Sequence, residues 1–395
     1  MTRLRSALLS LLLLLVSLGL VTALVEVAAR VLVARAAPPA GGPARPISRY
    51  DAQLGWDKPP NGEQRIQRSE FDVTIRTNSK GLRGPEREYA KPAGTRRVLI
   101  LGDSFGEGYY VEEEQTARAL LEGGLNLACP PVEVLNAATA GYSTDQEYLF
   151  YAREGRRYGS DLVLVFFYYN DVYYNTSGMG TGGKPKPVFE ERDGQLVLGN
   201  VPVPERPDDS AGRVAGLIPW RGSIALRLLS NRTSAGAPRL HGWLARVGLV
   251  EPLSREPYKE FWPVGGGHRD EVGEMWRRTA LILQALQRDV QAAGGRLAVL
   301  YVPARFEIND TAMEEIDTRF HLGLRKAPNR IFKQLKSICD AAGIPVLDPR
   351  PALRAAERPG RPAYYPNDGH WNAIGNAVAA QELVPFVRPL LPACR

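Results

Sequence analysis

Short apolar runs that alternate with helical patterns are the feature that most constrains the fold of this chain. The apolar runs lie at residues 98–101, 132–135, 162–168, 297–302 and, more weakly, 344–347. Helical patterns occupy residues 144–158, 269–293, 330–342 and 373–387. Because buried parallel strands are apolar throughout and need crossover helices, this pattern predicts a parallel sheet covered on both faces. We therefore expect an α/β protein, a three-layer α/β/α domain with about five parallel strands.

The first 36 residues predict a membrane anchor. Residues 7–25 carry no charge and are dominated by leucine, and at about 1.5 Å rise per residue this stretch nearly crosses a hydrocarbon core. A cleaved signal peptide is the alternative, with Ala34-Arg35-Ala36 as a small-x-small site. That site lies far from the end of the apolar run, so we favour an uncleaved N-terminal transmembrane helix. Long domains translocate largely regardless of flanking charge, which places the body outside the cytoplasm, in the periplasm or at the cell surface.

The rest of the chain divides into a linker and one domain. Residues 37–46 read APPAGGPARP, a composition typical of a linker. Residues 47–395 form the predicted domain, with an insertion at about 172–268 that serves as a lid, a substrate platform or an interaction surface. Within the insertion, Asp193-Gly194 between apolar residues predicts a hairpin, and residues 223–229 predict a short helix.

Charge and cysteine content exclude several classes of function. The net charge of +7 comes without a nucleic-acid-binding motif, so we expect no nucleic-acid partner. The three cysteines, Cys129, Cys339 and Cys394, have neither metal-ligand spacing nor a disulfide framework. One pair could oxidise outside the cytoplasm, although at least one thiol is expected to be buried and inert. We expect no metal and no cofactor.

Two candidate site residues follow the first two predicted strands. Ser104, in Gly102-Asp103-Ser104-Phe105, comes directly after the run at 98–101 and so lies at the open edge of the sheet, where α/β folds bind ligands. The alternative for this tetrapeptide is an ordinary strand-ending turn. Gly141 follows the second run and precedes a helix that Thr144 to Glu147 are predicted to open as a capping box, so its N–H could remain free to donate.

Two further candidates follow the third strand and precede the last helix. Asn170 ends an aromatic run, and its amide can donate to an oxyanion without titrating. His370 lies in a glycine-containing loop with Asp368 two residues before it. Histidine can accept the proton of a serine and return it to a leaving group, while Asp368 would orient the imidazole. A turn at Asn170 and a helix-capping Asp368 are the alternatives.

The order Ser104, Gly141, Asn170, Asp368/His370 resembles the four blocks of the SGNH/GDSL hydrolase superfamily. The resemblance covers roughly residues 50–387, and the upstream stretches Leu54-Gly55-Trp56 and 78–84 look like bacterial membrane-anchored members. It implies a flavodoxin-like SGNH fold, a Ser104 nucleophile with His370 and Asp368, and an oxyanion hole that includes Gly141 and Asn170. The sequence Asp368-Gly369-His370-Trp371 departs from the commoner DxxH pattern, and it is similar to SGNH-like O-acetyltransferases that modify exported polysaccharides.

The resemblance leaves three functions open. The first is a serine esterase that cleaves acyl groups, with acetyl as the expected group, from a lipid or glycan. The second is an O-acyltransferase toward a cell-envelope polysaccharide, which would need a multi-pass acyl-donor protein as its partner. The third is a catalytically silent glycan-binding module, against which the presence of all four blocks argues. The tyrosines at 168, 169, 173 and 174 either line a sugar or acyl site or pack the insertion against the sheet, and packing is the preferred interpretation.

Overall fold

A computed structural model of the 395-residue chain describes most of the sequence. The described residues are 2–36, 47–128, 130–205, 258–327 and 329–393, together with isolated positions between 206 and 257. The predicted linker at 37–46, residues 224, 227 and 228 of the predicted helix at 223–229, and Cys129 and Cys394 lie outside them. The chain forms two compact units: one comprises Met1–Gly42 with Pro207–Arg255, and the other comprises Pro43–Arg206 with Glu256–Arg395.

The central sheet of the second unit has five parallel strands. They are β5 (Arg96–Gly102), β6 (Val132–Asn136), β7 (Leu162–Tyr168), β10 (Arg296–Val302) and β11 (Val346–Leu347). Their spatial order is β11-β10-β7-β5-β6, and every pair is parallel. This confirms the predicted five-stranded parallel sheet, including the weak fifth strand.

Helices cover both faces of this sheet. Alternate strand residues enter separate cores: Leu99 and Val163 belong to one hydrophobic cluster, and Val98 and Leu162 belong to the other. Because side chains alternate across a strand, two separate cores mean two covered faces. The predicted helices form α4 (Thr144–Arg153), α6 (Arg269–Ala292), α9 (Arg330–Ala342) and α11 (Ala373–Val387). The three-layer architecture is therefore confirmed.

The start of α4 differs from the prediction. The helix begins at Thr144 with Ser143 as its N-cap, and no side chain caps it. The Ser143 hydroxyl instead donates to Asp145 Oδ1 (2.7 Å), and that oxygen also accepts from the Gln146 backbone N–H (2.8 Å). The predicted capping box was therefore wrong: Thr144 lies inside the helix, its hydroxyl donates to Asp171 Oδ2 (3.3 Å), and the Glu147 carboxylate has no partner among the described residues.

Several elements escaped the sequence patterns. The helices that were not predicted are α2 (Ser104–Glu107), α3 (Ala117–Ala128), α5 (Asp171–Tyr174), α7 (Arg305–Ile308), α8 (Asp310–Phe320) and α10 (Arg350–Ala356). Two small hairpins precede the sheet: β1 (Arg49–Asp51) with β2 (Gly55–Asp57), and β3 (Glu63–Gln67) with β4 (Asp72–Arg76).

The predicted hairpin within the insertion is present. β8 (Val188–Arg192) pairs antiparallel with β9 (Gln195–Gly199). The two turn residues, Asp193 (φ 52°) and Gly194 (φ 75°), both have positive φ, as a two-residue turn between twisted strands requires.

The first unit contains the N-terminal helix α1 (Thr2–Ala36). Glu26 accepts hydrogen bonds from the Ser223 hydroxyl (2.8 Å) and the Ala225 backbone N–H (3.1 Å), and it pairs with Arg30 (2.8 Å). Over the described residues, no helix has both the length and the apolar character that a membrane span requires. The transmembrane anchor therefore stays a prediction.

Candidate active site

Ser104 is the first residue of α2 and comes two residues after the end of strand β5. Gly102 ends the strand with φ 152°, and a Cβ there would lie 2.9 Å from the Phe166 Cβ on the neighbouring strand. Only glycine therefore fits this turn. Asp103 is the N-cap of α2, and its carboxylate accepts from the Phe105 backbone N–H (2.8 Å). The Ser104 side chain is thereby held at the carboxyl edge of the sheet.

The loop before α11 brings His370 to Ser104. The two atoms Ser104 Oγ and His370 Nε2 are 2.8 Å apart, and His370 Nδ1 lies 2.6 Å from Asp368 Oδ1. Asp368 reaches the imidazole across two residues because Gly369 adopts φ 86°. The structure therefore brings together three of the five predicted site residues in one chain of hydrogen bonds, 266 residues apart in sequence.

Aromatic rings fix the plane of the imidazole. Phe105 stacks on His370 with a centroid distance of 4.5 Å and an interplanar angle of 29°. Tyr110 lies 4.2 Å from the His370 centroid at 40°. Trp371 is buried and meets the Phe105 ring edge-on at 5.2 Å. The tryptophan that follows the histidine is therefore part of the packing beneath the loop.

Asp103 is the second carboxyl group close to the triad. Burial raises its pKa from 3.8 to about 6, against the opposing effects of the Phe105 N–H and of His370. Burial also raises the pKa of the Tyr110 hydroxyl, with Asp368 adding to the increase. Asp368, in contrast, is exposed over 25% of its side chain. The carboxylate that contacts His370 is thus the solvated one.

The predicted oxyanion donors lie on the loops that flank Ser104. The loop after β6 is tied to the nucleophile turn by a hydrogen bond from Thr139 N to Gly102 O (2.9 Å). Gly141, in this loop, has φ 81°, and its N–H donates to no described residue. Asn170 follows β7, the other neighbour of β5, and its buried Oδ1 has no partner among the described residues. The Asn170 Oδ1 is an acceptor, so its lack of a partner does not bear on the donor role, and Gly141 and Asn170 both stay predicted oxyanion donors.

A cleft of about 200 Å³ opens beside His370. Its walls combine aromatic rings with two charged groups and the histidine loop, and its lining includes Tyr168, Tyr169, Phe261, Phe306, Arg305, Glu315 and residues 366–370. Clefts of this composition bind small molecules or single units of a polymer. Among the described residues, no cluster of histidine, cysteine and carboxylate side chains could hold a metal ion.

Sequence reasoning missed several residues around the site. In the sequence, Asp103 and Phe105 were noted only because they flank Ser104. Glu107 and Lys58 are buried beside the Gly141 loop, yet neither stands in a recognisable motif. The tryptophan of Leu54-Gly55-Trp56 was noted for its resemblance alone, although its indole donates to the Ala140 carbonyl in this loop.

Comparison with known families matches residues 268–394 to a family described as the SGNH hydrolase-like domain of the acetyltransferase AlgX. The matched residues include Asp368 and His370. Ser104 lies outside the match, and its hydrogen bond to His370 joins it to them. The family match confirms the resemblance to the SGNH hydrolase superfamily over residues 268–394. A serine hydrolase or an O-acyltransferase of SGNH/GDSL type is the class of enzyme that this resemblance indicates.

Three solved structures show what this chain is similar to. The crystal structure of TesA is 12% identical, with a TM-score of 0.38, and the alignment covers 75% of this chain and 99% of TesA. The acetyl xylan esterase AlAXEase is 14% identical, with a TM-score of 0.39 and coverage of 74% and 99%. An acetylxylan esterase of Geobacillus stearothermophilus is 12% identical, with a TM-score of 0.38 and coverage of 75% and 94%. No curated protein sequence matches the chain.

Proposed function

We propose that the chain moves an acetyl group between oxygen atoms through an acetyl-Ser104 intermediate, with the hydroxyl group of a glycan as its acceptor. The observation that carries this proposal is a pair of hydrogen bonds. Ser104 Oγ lies 2.8 Å from His370 Nε2, and His370 Nδ1 lies 2.6 Å from Asp368 Oδ1. A serine becomes a nucleophile when an adjacent base takes its proton and a third group orients that base.

The first half of the reaction forms the intermediate. Ser104 Oγ attacks the carbonyl carbon of an acetyl ester while its proton moves to His370 Nε2. The oxygen of the resulting tetrahedral species carries the negative charge, and the N–H groups of Ser104 and Gly141 and the Asn170 amide would receive it. The bond to the leaving alcohol then breaks, and His370 returns the proton to that alcohol.

The second half of the reaction regenerates Ser104. An acceptor hydroxyl approaches, His370 removes its proton, and its oxygen attacks the acetyl carbonyl carbon. Collapse of the second tetrahedral species releases the new ester, and His370 returns the proton to Ser104 Oγ. Water in place of the alcohol gives acetate, so the same residues serve an esterase.

Two observations favour transfer to a sugar. The matched family is described by an acetyltransferase, and the match includes the Asp-x-His-Trp loop at residues 368–371. The cleft beside His370 presents Tyr168 and Phe306 next to the polar side chains of Arg305 and Glu315, a combination that suits one sugar ring. Hydrolysis is the second candidate, supported by the same triad.

The test uses the full chain with p-nitrophenyl acetate, with and without acetyl-free oligosaccharides. We expect nitrophenol release that depends on Ser104, and mass spectrometry should find acetyl groups on the oligosaccharide. Ser104→Ala should abolish release, and Asp368→Asn should lower kcat by about 10²- to 10⁴-fold because the imidazole loses its orienting partner.

Acetate as the sole product would favour the esterase. Release unaffected by Ser104→Ala would contradict the nucleophile, and inertness with retained glycan affinity would indicate a binding module.

We also propose, from the sequence of the first 36 residues, that the protein is anchored in a membrane with its catalytic domain outside the cytoplasm. In this setting, a multi-pass acyl-donor protein would supply the acetyl group to Ser104. Fractionation of cells that express the full chain tests the anchor: we expect the protein in the membrane fraction, resistant to carbonate extraction. Recovery of the chain as a free form shortened at its N-terminus would favour the cleaved signal peptide.

A further inference from the structure

Residues 54–58, which read Leu-Gly-Trp-Asp-Lys and which we call the Trp56 segment, hold the loop that leads into Gly141. The Trp56 indole N–H donates to the carbonyl oxygen of Ala140 at 3.1 Å. That carbonyl belongs to the same peptide group as the Gly141 N–H. Because the peptide is planar and trans, its C=O and N–H point in opposite directions. A bond that fixes the Ala140 carbonyl therefore also fixes the direction of the Gly141 N–H.

Two buried charged groups hold the same loop from other sides. The Glu107 carboxylate accepts from the Ala140 backbone N–H at 2.7 Å, and the Lys58 ammonium donates to the Ala138 carbonyl oxygen. Glu107 is 1% exposed and Lys58 is 4% exposed. Glu107 is also the last residue of α2, the helix that Ser104 begins. The loop is thus fastened to the element that carries the nucleophile.

Trp56 is itself fastened to the far side of the loop. The Tyr142 hydroxyl donates to the Trp56 carbonyl oxygen at 2.7 Å, and the two rings meet at 5.7 Å and 62°. A Cβ on Gly141 would lie 3.4 Å from the indole Cζ2, so the indole lies close against the glycine. Gly141 has φ 81°, and a glycine without such neighbours adopts several backbone conformations at little cost.

We infer that Trp56 is a positioning residue that aims the Gly141 N–H at the tetrahedral oxyanion, an inference that rests on the proposed function. Trp56 acts through the Ala140–Gly141 peptide and does not contact the reacting atoms. Its hydrogen bond keeps the peptide from rotating, so the Gly141 N–H stays free of internal partners and available to the substrate. Electrostatic stabilisation of an oxyanion depends on donors that are already oriented before the charge develops. The Trp56 segment supplies that orientation from outside the sheet.

The decisive variant is Trp56→Phe in the full chain, which keeps an aromatic ring and removes the N–H donor. We expect kcat for p-nitrophenyl acetate to fall about tenfold, less than the effect of deleting a donor, because the N–H remains but is no longer fixed. KM should stay within about twofold, since the bond acts on the transition state. The pH at which kcat/KM inflects should not move, because the triad is intact. Binding of a boronic acid, which forms a tetrahedral adduct on serine, should weaken by the same factor as kcat.

The matched control is Trp276→Phe, a buried tryptophan that packs against Phe167 and whose indole N–H donates to no described residue. Labelling with a fluorophosphonate counts intact active sites in each variant. If Trp56→Phe does not fold, Tyr142→Phe loosens the same segment and should lower kcat by about threefold. Equal kcat per labelled site in Trp56→Phe and Trp276→Phe, with Ser104→Ala inactive, would overturn the positioning role alone. If the unmodified chain neither turns over nor labels at Ser104, the proposed function fails as well.

Discussion

At the scale of single residues, Asp103 and Asp368 show how one histidine can lie near two carboxyl groups with different properties. Asp368 contacts His370 directly and is partly exposed. Asp103 is 5% exposed and caps the nucleophile helix, and burial raises its pKa to about 6. A buried carboxyl group with a raised pKa is more stable protonated than ionised. The ionised Asp103 carboxylate therefore destabilises the folded protein at neutral pH.

This cost predicts a pH-dependent gain in stability for Asp103→Asn. Asparagine keeps an oxygen that can accept from the Phe105 N–H and cannot ionise. Because the folded pKa of about 6 exceeds the unfolded 3.8, the stability that Asp103 contributes is present below pH 3.8 and is lost as pH rises to 6. The free energy of unfolding of the variant, relative to the parent, should thus rise by about 2 kcal/mol between pH 4 and pH 7.

Urea unfolding across this pH range measures the difference. Asp72→Asn is the control with the opposite sign, because Arg65 lowers the pKa of that exposed carboxyl group, so removing it should cost stability as pH rises. A difference between Asp103→Asn and the parent that does not change with pH would contradict the raised pKa.

The contacts of single residues could be predicted where a motif places them on neighbouring strands. Ser104 was predicted from its place at a strand end, since ligands bind at the carboxyl edge of a parallel sheet. Asp368 and His370 were predicted from the glycine-containing loop before the last helix. The contact between Trp56 and the Ala140 carbonyl spans 84 residues. It depends on how a short hairpin packs outside the sheet, and no local pattern encodes that packing. For the same reason Lys58 and Glu107 could not be predicted as partners of the Gly141 loop.

At the scale of elements, helix α3 explains why some helices could not be predicted. Its middle contains Gly123-Gly124, a dipeptide that usually indicates a turn. Gly124 lies where α3 meets α11, and a Cβ there would be 2.5 Å from Val384 Cγ2. A close approach between helices therefore requires the residue that a sequence pattern interprets as a break. Tertiary packing, which the local pattern does not contain, keeps this segment helical.

The two glycines of α3 predict opposite effects of the same substitution. Nothing lies within 4 Å of a Cβ at Gly123, so Gly123→Ala should raise the free energy of unfolding by about 0.5 to 1 kcal/mol. Gly124→Ala should lower it by about 1 to 3 kcal/mol because its methyl group overlaps Val384. Denaturant unfolding measures both changes. Adding Val384→Ala to Gly124→Ala should recover part of the loss, and equal effects of the two single substitutions would refute the proposed packing.

At the scale of the whole molecule, part of the predicted insertion belongs to the catalytic unit. Residues up to Arg206 belong to the second compact unit, while Pro207–Arg255 belongs to the first. Lys186, from the insertion, is fully buried and pairs with the fully buried Asp145 at the start of α4. It also donates to the backbone carbonyl oxygens of Tyr174 (3.0 Å) and Pro187 (3.0 Å). The sequence pattern could not predict that Lys186 is buried against Asp145, because an irregular segment has no periodicity from which burial can be inferred.

This buried pair predicts that Lys186→Met destabilises the catalytic unit strongly. Methionine fills a similar volume but leaves the Asp145 carboxylate buried without its cation, which costs about 3 to 5 kcal/mol in comparable pairs. The matched control is Lys336→Met, whose partner Asp340 lies one turn away on an exposed helix face, and its loss should cost less than about 0.5 kcal/mol. Asp145→Asn added to Lys186→Met removes the stranded charge, so the double variant should be more stable than Lys186→Met alone. Denaturant unfolding of the four proteins separates these cases, and similar losses for the two lysines would show that the insertion is not bound into the core through Lys186.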